Sequence, residues 1–216
     1  MYNNTIIVRQ LGLQCWKKIF NLMEDFTISR NKNTLDELWC VQHYPIFTLG
    51  RLSQEQDLIF SNKIEVIQTN RGGRITYHGP GQQIIYLLID INRRQITPRK
   101  LIQLIECTVL STLQHFCIKA HLIKEYPGIY VDNKKICSFG LRITKGCSLH
   151  GFALNIDMDM SPFLQIYPCG NRNIKMTQLI EFKKKVNIIN VTSILLKQII
   201  NLLNIKTVYY EYMLND

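Results

Sequence analysis

Residues 127–158 read PGIYVDNKKICSFGLRITKGCSLHGFALNIDM. Three strand-like pieces, PGIYV, KKICSFGLRI and CSLHGFALNIDM, follow one another with only short turns between them. No helix separates them, so the chain departs from the regular strand–helix alternation of a doubly wound fold. Working outward, TIIVRQL (5–11) reads as a short strand. LQCWKKIFNLMEDFTISR (13–30) puts Leu13, Trp16, Ile19, Phe20 and Met23 at helical spacing. ELWCVQHYPIFTLG (37–50) is strand-like, broken near Pro45 and closed by Gly50. EVIQTN (65–70) and QIIYLLIDI (83–91) predict two buried strands on either side of a glycine-rich loop.

Thr97 and Pro98 form a helix start, hydroxyl cap followed by proline in the first turn, and the helix runs to about Phe116. A short helix near 176–182 and a longer one over 191–205 follow, and the polar tail after about residue 206 is expected to be loosely held. No repeat or linker divides the chain. The prediction is one α+β domain over 1–216, a mixed β-sheet with flanking helices.

Composition narrows the function classes. A chain of 216 residues is long enough to bury roughly 70% of its unfolded surface. With 46% hydrophobic and 19% charged residues it lies away from disorder. No apolar run reaches the ~20 residues of a bilayer span, and MYNNTIIVRQ lacks the basic and apolar regions of a signal peptide. A cytoplasmic location with no membrane role is the expectation. The seven cysteines are odd in number and contain no CxxC pair, against both a disulfide framework and a zinc site. Most lie in apolar periodic segments, where a free thiol is expected to be a small buried hydrophobe, and Cys169 is the exception. The net charge of +10 suits a nucleic acid, an acidic protein partner or mere compositional bias. No nucleic-acid module is recognisable and the basic residues form no single block, so nucleic acid is not expected as a partner.

The loop itself, RGGRITYHGPGQ (71–82), resembles a phosphate cradle at first sight. It lacks the Lys-Ser/Thr pair of a P-loop, and a strand follows where a dinucleotide fingerprint needs a helix. What remains is a backbone that a ligand can approach closely, or else a tight hairpin with incidental polar groups. In IYPCGN, Pro168 and Gly170 put Cys169 on a turn. An ordinary thiol is only a few per cent thiolate at neutral pH, so a nucleophile there needs a partner. His78 and His150 are candidate bases, and a desolvated lysine is another. Lys134 and Lys135 lie side by side in a strand, so they point to opposite faces and only one can enter a pocket.

Taken together in this order, RGGRITYHGPGQQIIYLLIDI, PGIYV and KKICSFGLRITKGCSLHGFALNIDMDMSPFLQIYPCG resemble the octanoyltransferases of lipoate biosynthesis, the LipB family. The likeness spans roughly residues 37–182. It implies that the Cys169 thiolate attacks the thioester of octanoyl-acyl carrier protein, and that an acceptor lysine then attacks the octanoyl-enzyme. The acceptors implied are lipoyl domains of 2-oxoacid dehydrogenase complexes and the glycine cleavage H protein. Lys135, before Ile136, matches the family's catalytic lysine, with Lys134 as the fallback. Three segments would line the acyl pocket: Arg71, Gly72, Gly73, Arg74, Ile75, Thr76, Tyr77 and His78; Ser138, Phe139 and Gly140; Gly151, Phe152 and Ala153. Backbone N–H groups near the glycine loop or Cys169 would stabilise the oxyanion, each worth about 3 kcal/mol. The reaction needs no cofactor and no metal. The fold implied is that of the catalytic domain of biotin and lipoate protein ligases. Two readings compete: an ATP-dependent lipoate or biotin ligase on that fold, and a basic binding module without covalent chemistry.

Overall fold

A computed structural model describes residues 4–60 and 63–212. Its first half contains β1 (Thr5–Gln14), α1 (Trp16–Ser29), β2 (Asp36–His43), β3 (Ile46–Leu49), β4 (Glu65–Gln68), β5 (Thr76–His78) and β6 (Gln82–Leu88). The second half contains α2 (Pro98–His115), β7 (His121–Leu122), β8 (Ile129–Val131), β9 (Lys134–Thr144), β10 (Cys147–Asn155), α3 (Ile188–Leu202) and β11 (Thr207–Tyr212). Eight strands form one sheet in the order β11-β1-β2-β6-β10-β9-β8-β7, and a second sheet runs β4-β3-β5. The pairs β11–β1 and β1–β2 are parallel, whereas those from β2 through β6, β10, β9 and β8 to β7 are antiparallel. The sheet is therefore mixed, with flanking helices, and the architecture is the predicted α+β.

Strand pleat sorts the core into layers. Leu38 and Cys40 of β2 and Ile85 and Leu87 of β6 join α2 and α3 in one apolar cluster. The intervening Trp39, Val41, Ile84, Tyr86 and Leu88 face the other way and pack with Ile19 and Met23 of α1. A smaller cluster of Phe47, Ile75, Tyr77, Met158, Phe163 and Ile166 fills the space beneath the second sheet. The start of α2 is as read: the Thr97 side chain accepts from the Lys100 N–H, with Pro98 in the first turn.

Several expectations need correction. Residues 65–68 do form a strand, but it is half-exposed and belongs to the small sheet, not to a buried one. The glycine loop contains a strand of its own, β5, which pairs with β3. The segment near 176–182 closes only one 3-10 turn, Leu179–Glu181. Beyond residue 206, Thr207–Tyr212 adds a parallel edge strand to β1, while 213–216 lie outside the described residues. TVYYEY is β-branched and aromatic, Val208 packs on the main core, and Glu211 pairs with Arg9, which together order the segment. Among the cysteines, Cys40, Cys137 and Cys147 are buried as expected, but Cys15, Cys107 and Cys117 are exposed. Cys15 precedes α1, Cys117 follows α2, and Cys107 lies on the solvent side of α2. No helix of the described residues is long and apolar enough to cross a membrane.

One ionic cluster ties the sheet to its surroundings. The fully buried Asp36 carboxylate accepts from Arg30 at 2.6 Å, Arg93 at 2.6 Å and Arg94 at 2.5 Å. It also accepts from the Asp90 N–H at 2.9 Å. The start of β2, the end of α1 and the turn after β6 thus meet on one anion. Asp36→Ala leaves these guanidiniums without their carboxylate, and denaturant unfolding should show a loss of about 3–5 kcal/mol.

Candidate active site

The position of Lys135 follows from an irregularity in β9. Tyr130 pairs with Lys135 and Ile129 with Cys137, so Ile136 is the extra residue of a β-bulge. Ile136 and Cys137 both enter the α2-side core. The backbone of Lys135 is clamped from the other side: its N–H donates to Lys175 O at 2.8 Å, and Thr177 N–H donates to Lys135 O at 2.9 Å. Lys135 is only 3% exposed, whereas the Lys134 side chain is 44% exposed and lies 3.9 Å from Glu181. Of the two neighbours, Lys135 is the inward one.

Its ammonium nitrogen has two close contacts, Pro127 O at 2.6 Å and Cys169 Sγ at 2.9 Å. The Tyr130 ring lies 5.9 Å from it. Among the described residues no carboxylate pairs with Lys135. Gly128 leaves the room this requires, since a Cβ there would sit 2.3 Å from Lys135 Cε.

Cys169 occupies a 3-10 turn, Pro168–Gly170, with φ 56° and ψ 18°. That left-handed conformation is costly for a residue with a Cβ and is held by its surroundings. Gly170 follows at φ +69°, and a Cβ on it would lie 2.4 Å from Arg74 Nη1. Arg74 in turn pairs with the buried Asp57 at 2.9 Å, and Tyr167 N–H donates to Asp57 O at 2.8 Å. The glycine loop thus supports the cysteine turn through Arg74. Burial pushes the thiols of Cys40 and Cys137 up to about 12, leaving them as inert hydrophobes.

Both groups open onto a pocket of about 290 Å³. Of the residues expected there, Arg71, Gly73, Arg74, Ile75, Thr76, His78, Ser138, Phe139, Gly140, Gly151, Phe152 and Ala153 line it with Lys135 and Cys169. Two do not. Gly72 donates its N–H to Leu141 O at 3.1 Å instead. Tyr77 sits between two pocket-facing residues of β5, so its ring points away and packs 5.5 Å from those of Phe47 and Phe163. The Gly72 and Gly170 N–H groups, natural oxyanion donors by sequence, are both bonded within the fold. Ser138 pairs with Ala153 and Gly140 with Gly151, so the antiparallel β9–β10 ladder forms one wall.

Sequence reading missed Trp16, Leu52, Ile84, Tyr86, Glu125, Tyr126, Pro127 and Pro168 as lining residues. They come from α1, β6 and separate loops, and no local motif marks their convergence. The apolar patterns of 13–30 and 83–91 were the available signals, and they marked Trp16, Ile84 and Tyr86 only as buried or apolar.

The polar groups of the pocket are held in place and uncharged where they are histidines. His78 bonds Gln82 Oε1 at 2.7 Å and His150 bonds Asn70 Oδ1 at 2.7 Å, while behind the lining His43 bonds the OH of Tyr86 at 2.8 Å. Burial lowers their pKa values from 6.5 to about 3, 3 and 4 respectively. Neither His78 nor His150, both candidate bases by sequence, approaches the cysteine as Lys135 does. Arg71 donates to Thr48 O at 2.6 Å, Thr48 Oγ1 at 3.0 Å and Gly72 O at 3.0 Å, and burial pushes its pKa down to about 10.

The histidines set an acid limit. Unfolded, each takes up a proton near pH 6.5, whereas folded it stays neutral to about pH 4 or 3. The unfolded chain therefore binds more protons in that window, so stability is complete above pH 6.5 and falls as pH drops toward 4. Urea midpoints should decline over this range, and His43→Gln should make the decline shallower.

Residues 18–200 match the family described as the lipoyl protein ligase A/B catalytic domain. An octanoyltransferase of Buchnera aphidicola from Acyrthosiphon pisum is 52% identical, covering 95% of this chain and 97% of that protein. One from Escherichia coli is 48% identical, covering 94% and 96%. Among solved structures, a lipoate-protein ligase A bound with ATP superposes with a TM-score of 0.75 at 17% identity, covering 95% of this chain and 89% of that one. A biotin protein ligase from Aquifex aeolicus gives 0.57 at 15%, covering 93% and 70%. The ligases establish the fold, and the close relatives establish the branch. The chain belongs to the octanoyltransferases, acyltransferases built on the lipoyl protein ligase A/B catalytic domain.

Proposed function

We propose that this chain moves an octanoyl group from the thioester of octanoyl-acyl carrier protein to a lysine of apo lipoyl domains, through a thioester on Cys169. The observation that carries the proposal is the 2.9 Å contact between Lys135 Nζ and Cys169 Sγ at the wall of the pocket. In the first half the thiol proton resides on Lys135 and the Cys169 thiolate attacks the donor carbonyl. The tetrahedral intermediate collapses, the carrier thiolate leaves, and Lys135 returns the proton to it.

Lys135 is then neutral beside an octanoyl-thioester. The acceptor lysine, deprotonated, attacks the same carbonyl. Its surplus proton passes to Lys135, the amide forms, and the Cys169 thiolate is expelled to restore the starting pair. No ATP enters this balance, because thioester to amide runs downhill. The acyl chain would lie along β9 and β10, where the wall from Lys135 to Gly140 is roughly 15 Å long at ~3.3 Å per residue. Gly140 and Gly151 leave that wall without side chains, and Phe139, Phe152 and Ile84 supply apolar surface, worth up to ~0.8 kcal/mol per buried methylene.

Incubation with octanoyl-acyl carrier protein in the absence of ATP should give an intact-mass increase of one octanoyl group on Cys169. An adduct that persists in Cys169→Ala, or a strict need for ATP and free octanoate, would refute the scheme. Removing a proton-transfer group typically costs 10²–10⁴-fold. Lys135→Ala should therefore lose at least ~100-fold in turnover, with Lys134→Ala close to wild type; equal losses would reject the assignment of Lys135.

A further inference from the structure

The second half of the proposed reaction brings a positively charged side chain toward a site already rich in positive charge. Arg71, Arg74 and Lys135 line the pocket, and the chain as a whole carries +10. An incoming lysine ammonium is repelled by the Arg71 and Arg74 guanidiniums until it loses its proton, while Lys135, having given its proton to the departing carrier, is neutral at this stage. One carboxylate lines the same pocket, that of Glu125. It is exposed to solvent, and none of the ion pairs among the described residues engages it.

The chain around Glu125 is tied to the reacting groups. Tyr126 N–H closes a turn onto Ile123 O at 3.3 Å. Tyr126 O accepts from Tyr130 OH at 2.9 Å, and Pro127 O accepts from Lys135 Nζ at 2.6 Å. The carbonyl that holds Lys135 and the residue that carries the carboxylate are thus two positions apart on one anchored segment. A carboxylate with no cation of its own, held at the rim of a cationic site, is placed to receive a cation from outside.

Resting on the proposed octanoyl transfer, we propose that Glu125 recognises the ammonium of the acceptor lysine and guides it to the octanoyl-enzyme. The group acts chiefly on one half of the reaction. The donor presents a thioester, not an ammonium, so loss of Glu125 falls mainly on the acceptor half. An exposed charge of this kind changes encounter and KM and leaves the chemical step alone.

The test separates the halves. Wild type, Glu125→Gln and Glu125→Lys are loaded with octanoyl-acyl carrier protein, and the octanoyl-enzyme is followed by intact mass. Each loaded enzyme is then mixed with an apo lipoyl domain over a range of concentrations, and separately with hydroxylamine, a neutral nucleophile. Loading should change far less than the acceptor step in either variant. KM for the lipoyl domain should rise about two- to fivefold in Glu125→Gln and ~10-fold in Glu125→Lys, with the maximal rate retained. The gap should narrow at high salt, where exposed charges are screened, and hydroxylamine should discharge all three enzymes alike. An unchanged KM for the lipoyl domain, or equal slowing of loading and of hydroxylamine discharge, would overturn the assignment. Failure of the wild type to load at all would instead sink the octanoyl-transfer reading, and Glu125 with it.

Discussion

The contact between Lys135 Nζ and Cys169 Sγ joins two segments 34 residues apart, and much of the surrounding structure holds them there. On the lysine side, the bulge at Ile136 turns two successive side chains into the core and leaves Lys135 facing the pocket. Lys175 and Thr177 lock its backbone, and Pro127 O fixes the end of its side chain. On the cysteine side, a left-handed residue is kept in place by Asp57, Arg74 and the backbone bond to Tyr167. The arrangement is preorganised, which is where acyl-transfer catalysis gains most: little reorganisation is left for the moment of reaction.

The pocket behind this pair combines apolar walls with polar groups that are already satisfied. His78 and His150 in the lining, and His43 behind Tyr86, are neutral because burial disfavours their charged forms, and each has a hydrogen-bond partner. Arg71 spends its donors on Thr48 and Gly72, bracing the glycine loop against β3. None of these groups needs to strip a bond from the protein to admit an apolar chain. Leaving a buried polar group unpaired costs ~1–3 kcal/mol, so a prepaired lining favours an acyl tail over one that must rearrange.

The same fold is found in ligases solved with ATP bound, at identities of 17% and below among those compared. A thiol on a strained turn, beside a lysine with no carboxylate, is the feature that suits transfer through a covalent intermediate. Fold alone does not choose between the two chemistries, and the proposed covalent route rests on the site.

Much of this was legible in the chain itself. Period-2 and period-3.6 patterns marked β1, α1, β2, β6, α2 and β8 to β10, because those patterns reflect which face of a single element is buried. Pro168 and Gly170 announced the turn at Cys169, and the Lys134–Lys135 pair showed that only one could face inward. Other features depended on contacts between distant segments. The TVYYEY strand needs β1 beside it, the Ile136 bulge needs the register with β8, and the exposure of β4 needs its separate sheet. Tyr77 lies outside the pocket although Thr76 and His78 line it, because β5 alternates its faces once it pairs with β3. The sequence by itself determined the types of those elements and the mixed α+β class, which local pattern encodes, while the pairing of Cys169 with Lys135 was implied by the family resemblance. The approach of Lys135 to Cys169, and the meeting of Trp16, Tyr86 and Glu125 at one pocket, were decided only by the tertiary structure. Side chains far apart in the chain acquire a distance only when the sheet that carries them has formed.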